Sequence, residues 1–216
     1  MNTEIISFYA DLGGDTYYSD HATRLKKNCE QFNISYDIRE HKPEGSYRLN
    51  CLAKPKFILD VIQEKQKSLA WIDVDAQIHQ PLTVLDELSN DVGCDMAFPI
   101  LGNTPQVCFM YFAFNEKIIK HLQYWVKCCE ENIQKDDHKL FDHEIFLTKI
   151  FPECYHNLMV KILAPNYSIW PGSPLDDVSN PNKMITLGIA SNKSKEDGLR
   201  DMGLPENVID FNLLRK

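Results

Sequence analysis

Apolar residues recur along the chain in short blocks whose spacing switches between two and about 3.6. Positions 4–10 form a β-rich apolar run that ends in Asp11-Leu12-Gly13-Gly14-Asp15, a turn composition. Over 18–32, Ala22, Leu25, Cys29 and Phe32 fall on one helical face. A second strand is expected at 34–38. Beyond a polar loop with Pro43 and Gly45, a helical stretch is expected over 48–66, with Pro55 as a break. Residues 68–72 read as a buried strand that stops at Asp73-Val74-Asp75, and 96–100 and 107–114 as two more strands. The clearest helix is 116–132, carrying Ile118, Ile119, Leu122, Trp125, Val126 and Cys129. Another is expected over 142–151, and short strands over 159–163 and 184–187.

Strands alternating with helices predict an α/β fold: a Rossmann-like mixed, mostly parallel sheet with helices on both faces. With no repeat and no long linker, residues 1–216 read as one domain. Ligands of such sheets bind outside the carboxyl ends of the strands. Asp11 and the pair Asp73 and Asp75 lie at two such ends, so separate segments converge on one rim.

Composition removes several function classes. The net charge of -8 repels phosphate backbones, so no nucleic-acid partner is expected. Seven cysteines, odd in number and without a Cys-x-x-Cys pair, predict free thiols rather than a disulfide framework or structural zinc. Without a basic leader or an apolar run of membrane-spanning length, the chain as given is expected to be cytoplasmic, with no membrane segment.

The densest chemistry lies in Trp71-Ile72-Asp73-Val74-Asp75. Two carboxylates two residues apart, directly after a buried strand, can share a hard divalent cation, Mn²⁺ or Mg²⁺, with phosphates and waters completing the shell. A solvated turn is the plain alternative. Asp142-His143-Glu144 opens a helix, where acidic residues suit the dipole and the cap; the functional reading gives Asp142 or Glu144 the task of binding or deprotonating an acceptor hydroxyl. The aromatic run Phe109, Tyr111, Phe112 and Phe114, and Trp125, read as core. Trp170, in a loop-rich region, is the better platform for a sugar.

These segments together resemble the GT-A glycosyltransferases, whose Asp-x-Asp motif follows a strand in this way. The resemblance runs through Ile5 to Asp15, the stretch Lys54-Pro55-Lys56-Phe57-Ile58-Leu59, the motif from Trp71 to Pro81, and Phe141 to Leu147. It extends to the N-terminal glycosyltransferase domain of a larger chlorella-virus protein. The resemblance implies transfer of a hexose or deoxyhexose from a UDP-sugar donor to a glycan acceptor. It implies Asp75 as a direct metal ligand and Asp73 on the ribose or on the metal through water. It places Tyr9, Ala10 and Asp11 along the uracil, and Arg48 or Lys54 on the donor phosphate or sugar. Many members add a C-terminal histidine to the metal; nothing after Trp170 supplies one here, leaving Asp176, Asp177, an Asn or water. The tail from Leu187 to Lys195 has small residues and cations suited to closing over a diphosphate. Haloacid-dehalogenase-type phosphatases also place Asp-x-Asp after a strand, but Ala76-Gln77 follows the pair here, and a whole strand-helix-strand-helix unit precedes it. A non-catalytic sugar-nucleotide or glycan-binding module is the third reading.

Overall fold

The computed structural model describes residues 3–134 and 139–188, with 190, 191 and 194. In chain order the elements are β1 (Glu4–Tyr9), α1 (Tyr17–Gln31), β2 (Tyr36–Glu40), α2 (Tyr47–Leu52), α3 (Lys54–Lys65), β3 (Leu69–Ile72), β4 (Gln77–Ile78), α4 (Val84–Asn90), β5 (Met96–Leu101), β6 (Thr104–Pro105), β7 (Phe109–Phe112), α5 (Glu116–Ile133), α6 (Asp142–Ile145), α7 (Phe151–Asn157), β8 (Val160–Leu163) and β9 (Ile185–Thr186). A π-helical turn, Phe146–Ile150, joins α6 to α7.

The main sheet runs β2-β1-β3-β7-β5-β6, with β8 also paired to β5. β1 is parallel to β2 and β3, and β5 to β8, while β7 enters antiparallel to both β3 and β5. This is the expected α/β sheet, mostly parallel and flanked by helices. Period-two alternation assigns its side chains to two layers. Ile6, Phe8, Leu69, Trp71, Met110 and Phe112 pack with Ile58 and Ile62 of α3 and with Ile118, Leu122 and Trp125 of α5. Ile5, Ala70, Ile72, Phe109 and Tyr111 pack with Ala22, Leu25 and Cys29 of α1 and with Leu85 and Leu88 of α4. All seven cysteines are free thiols. Among the described residues no helix is long and apolar enough to cross a membrane.

Several boundaries differ from those the pattern predicts, the strand expected at 107–114 being confined to β7. The second strand begins at Tyr36, because α1 ends in a Schellman turn: Asn33 is left-handed (φ 54°), its N–H donates to Glu30 O, and the Ile34 N–H donates to Cys29 O. Ile34 is thus buried as the apolar partner of the helix end rather than as a strand residue. The expected 48–66 helix is two helices meeting at Ala53, since Pro55 in the first turn of α3 has no N–H to continue α2. The 142–151 helix continues to Asn157 through the π turn. Pro152, at the start of α7, cannot make its i→i−4 bond, and the wider turn absorbs the lost register.

Candidate active site

The tight turn after β3 is held from three sides. Cys108 O accepts from the Asp73 N–H (2.8 Å), Asp73 O from the Ala76 N–H (3.0 Å), and the Arg24 guanidinium donates to Asp75 O (2.7 Å). Ser7 Oγ donates to Ile72 O (2.7 Å), tying β1 to the last residue of β3. The turn therefore presents both aspartates at the carboxyl end of the parallel strands, on the floor of a cavity of about 750 Å³. Tyr9, Ala10, Lys54, Asp73, Asp75, Asp142 and Trp170 all line this cavity.

Lys54 links its two sides. Its ammonium lies 3.0 Å from Asp73 Oδ1 and 2.8 Å from Asp142 Oδ2, and 5.4 Å from the centre of the Trp71 ring. Burial opposes the charge, but Asp142 and Asp73 override it and hold the ammonium well above the ordinary lysine range. The Trp71 indole N–H donates to the same Asp73 Oδ1 at 2.8 Å. Among the described residues no such cation pairs with the Asp75 carboxyl. Burial, reinforced by repulsion from Asp73, pushes it up to about 7. A carboxyl so placed gains most from an added cation. Among the described residues no cluster of three or more His, Cys, Asp or Glu could hold a metal. Asp73 and Asp75 are two hard oxygen donors on the cavity floor, the donor type that suits Mn²⁺ or Mg²⁺.

Other residues singled out in the sequence lie elsewhere. Asp11 is at the rim, but its Oδ1 accepts from the N–H groups of Tyr18 (2.9 Å) and Ser19 (3.1 Å), so it caps α1 and does not line the cavity. Arg48 is 2% exposed and turned toward α5. It donates to Asn132 Oδ1 (3.1 Å) and Leu140 O (3.4 Å), so it supports the segment leading to Asp142 instead of reaching a donor. Glu144 Oε2 accepts from the Phe141 N–H at 2.8 Å, closing the N-terminus of α6 rather than facing an acceptor. Asp176 pairs with Lys183 and Asp177 caps Ser179, so neither supplies a third ligand. Of the expected core aromatics, Phe114 is exposed. Of the tail, Leu187, Gly188, Ala190 and Ser194 line the cavity, and Tyr18 Oη donates to Ser194 Oγ at 3.0 Å. Ile189, Asn192, Lys193 and Lys195 lie outside the described residues.

Sequence reasoning missed Arg24, which holds Asp75 O, Tyr47 and Gln106, which line the cavity, and the role of Gly188. The backbone of Gly188 lies directly on Asp75: a methyl group there would sit 2.5 Å from Asp75 Cβ and 2.6 Å from its carbonyl oxygen, and would meet Cγ as well. Gly188→Ala is thus expected to displace the Asp75 carboxylate while leaving both core layers intact. Far-ultraviolet circular dichroism should be unchanged, and Mn²⁺ affinity by calorimetry should fall about tenfold or more. An unchanged Mn²⁺ affinity would show that the contact relaxes without moving Asp75.

No protein-family model matches the chain, and no curated protein matches it in sequence. Among solved structures, it is similar to a glycosyltransferase involved in the glycosylation of the major capsid of PBCV-1, a chlorella virus. The identity is 10% and the TM-score 0.63, over 93% of this chain and 99% of that one. At such identity the likeness is one of fold, and the fold is the one the sequence resemblance implies.

Proposed function

We propose that this chain is a metal-dependent glycosyltransferase that moves a hexose or deoxyhexose from a UDP-sugar to a hydroxyl of an acceptor glycan. The observation that carries the reading is the carboxylate pair at the end of β3, on the floor of a cavity large enough for a nucleotide sugar, in a fold shared with a glycosyltransferase. Asp75 and Asp73 would hold Mn²⁺ or Mg²⁺, which when bound supplies positive charge against the departing diphosphate. Tyr9 and Ala10, at the end of β1, border the base. Lys54 holds Asp73 and Asp142 on opposite sides of one ammonium. Asp142, with Oδ2 on Lys54, lines the cavity, where its carboxylate can accept a hydrogen bond from a sugar or acceptor hydroxyl. The free thiols suit a reducing compartment, the cytoplasm, of the host cell if the chain is viral.

Nucleotide release from a panel of UDP- and GDP-sugars, with Mn²⁺ and with EDTA, tests the proposal. Release from a UDP-sugar in Mn²⁺ and its loss in EDTA are expected, with UDP binding more tightly than GDP. Release that persists in EDTA removes the metal from the mechanism, and equal or tighter GDP binding removes uridine. Phosphate-ester hydrolysis through a phosphorylated Asp73 would turn the reading to a phosphatase. UDP binding without turnover would leave a binding module.

The Asp75 environment adds a pH signature. Its carboxyl is raised from 3.8 to about 7, so between these values the folded chain binds a proton that the unfolded chain releases. The metal-free protein is therefore expected to lose stability as pH rises from about 4 to about 7, with no further loss from this group above that. Thermal unfolding across this range should show the trend in wild type and not in Asp75→Asn, and Mn²⁺ should offset it. A wild-type profile that matches the variant's would show that Asp75 titrates normally.

A further inference from the structure

The cavity extends across three strand spacings from β1 to β5, roughly 14 Å, and its two ends differ in chemistry. The carboxylates and Lys54 lie on the β1–β3 side. The far end, built by the β5–β6 hairpin, the π turn after α6 and the loop carrying Trp170, has no Asp, Glu, Lys or Arg among the described residues that line it. It holds three large apolar side chains in solvent: Leu101 (39% exposed), Leu147 (38%) and Trp170 (43%). These residues offer a neutral ligand with an apolar face more than they offer a diphosphate.

Trp170 is also held in one orientation. Its indole N–H donates to Gln106 Oε1 at 3.0 Å; Gln106 is buried, its Nε2 donates to Thr104 O (3.0 Å), and its own N–H donates to Pro99 O (2.8 Å). The tryptophan's polar edge is thus satisfied inside the protein, while its ring remains part of the cavity wall. Thr104 adds a polar atom to the same end. A fixed indole with apolar neighbours and a few polar groups suits a pyranose, which has an apolar C–H face and hydroxyls around its edge.

We propose that this end is a saccharide subsite, in which one pyranose ring stacks on Trp170 and Gln106 acts as the positioning residue for the indole. Only the assignment of that sugar as the acceptor rests on the glycosyltransferase reading. The other two tryptophans, Trp71 and Trp125, are buried, so Trp170 is the natural reporter. The full chain is titrated, without donor, with methyl glycosides of glucose, galactose, mannose, xylose, fucose and rhamnose, following tryptophan emission and calorimetry. At least one glycoside should shift the emission saturably in the millimolar range. Trp170→Ala should weaken its binding about tenfold or more, and Gln106→Leu about fivefold, the scale of one stacked ring and one hydrogen bond. The subsite is overturned if no glycoside binds, if binding survives Trp170→Ala unchanged, or if 1-hexanol binds as well as the best glycoside. Glycoside binding at Trp170 in a chain that releases no nucleotide keeps the subsite and loses the transferase. Nucleotide release without glycoside binding does the reverse.

Discussion

Asp75→Asn is expected to lower nucleotide release from a UDP-sugar by about 100-fold or more, the scale of withdrawing ~2.7 kcal/mol of electrostatic stabilisation from a preorganised site. The substitution preserves size and shape and removes only the charge that would hold a hard cation. Folding should survive it, and stability at neutral pH should hold or rise. Asp75 sits where burial and Asp73 oppose its ionisation, so the neutral amide relieves a cost that the metal-free wild type bears. The informative comparison is release by wild type, Asp75→Asn and Asp73→Asn, each with Mn²⁺ and with EDTA, alongside urea unfolding. A folded Asp75→Asn protein with near-normal release would sink the metal assignment. A greater dependence on Asp73, with a phosphorylated intermediate, would indicate phosphatase chemistry.

Lys54→Met should damage both stability and activity, for one physical reason. The ammonium is the shared partner of Asp73 and Asp142, and the Lys54 and Asp142 side chains are only 8% and 5% exposed. Removing it leaves Asp142 buried without a countercharge, which typically costs about 3–5 kcal/mol. Urea or thermal unfolding should show the loss, and nucleotide release should fall with it. Adding Asp142→Asn should recover much of the stability, because the stranded charge disappears, but not the activity. If the single variant is as stable as wild type, the ion pair does not hold the site together. If the double variant regains full activity, Lys54 and Asp142 serve packing alone.

Local pattern was a sound guide wherever one face of one element decides the structure. The apolar stripes at 18–32 and 116–132 and the runs at 4–10 and 68–72 became α1, α5, β1 and β3 within a residue or two. Because parallel strands put their carboxyl ends on one rim, the pattern also brought Tyr9, Asp73 and Asp75 toward a common cavity. It could not show that β7 runs antiparallel within this sheet. Alternation with period two is the same in either direction, and only neighbouring strands select one.

The polar residues divided along the same line. From sequence, Asp11, Arg48, Glu144, Lys54 and Asp142 are equivalent as charges near turns and helix starts. In the fold, Asp11 and Glu144 are spent on backbone N–H groups, Arg48 on Asn132 and Leu140, and only Lys54 and Asp142 reach the cavity. Likewise Gly188 gains its meaning from contact with Asp75, and Trp170 from Gln106. The sequence by itself determined the alternation of elements, the strand ends and the acidic pair, since periodicity and turn chemistry act between near neighbours. Tertiary structure alone decided which charges meet, because a buried ion or polar edge finds its partner in whichever distant segment the packed core carries to within about 3 Å of it.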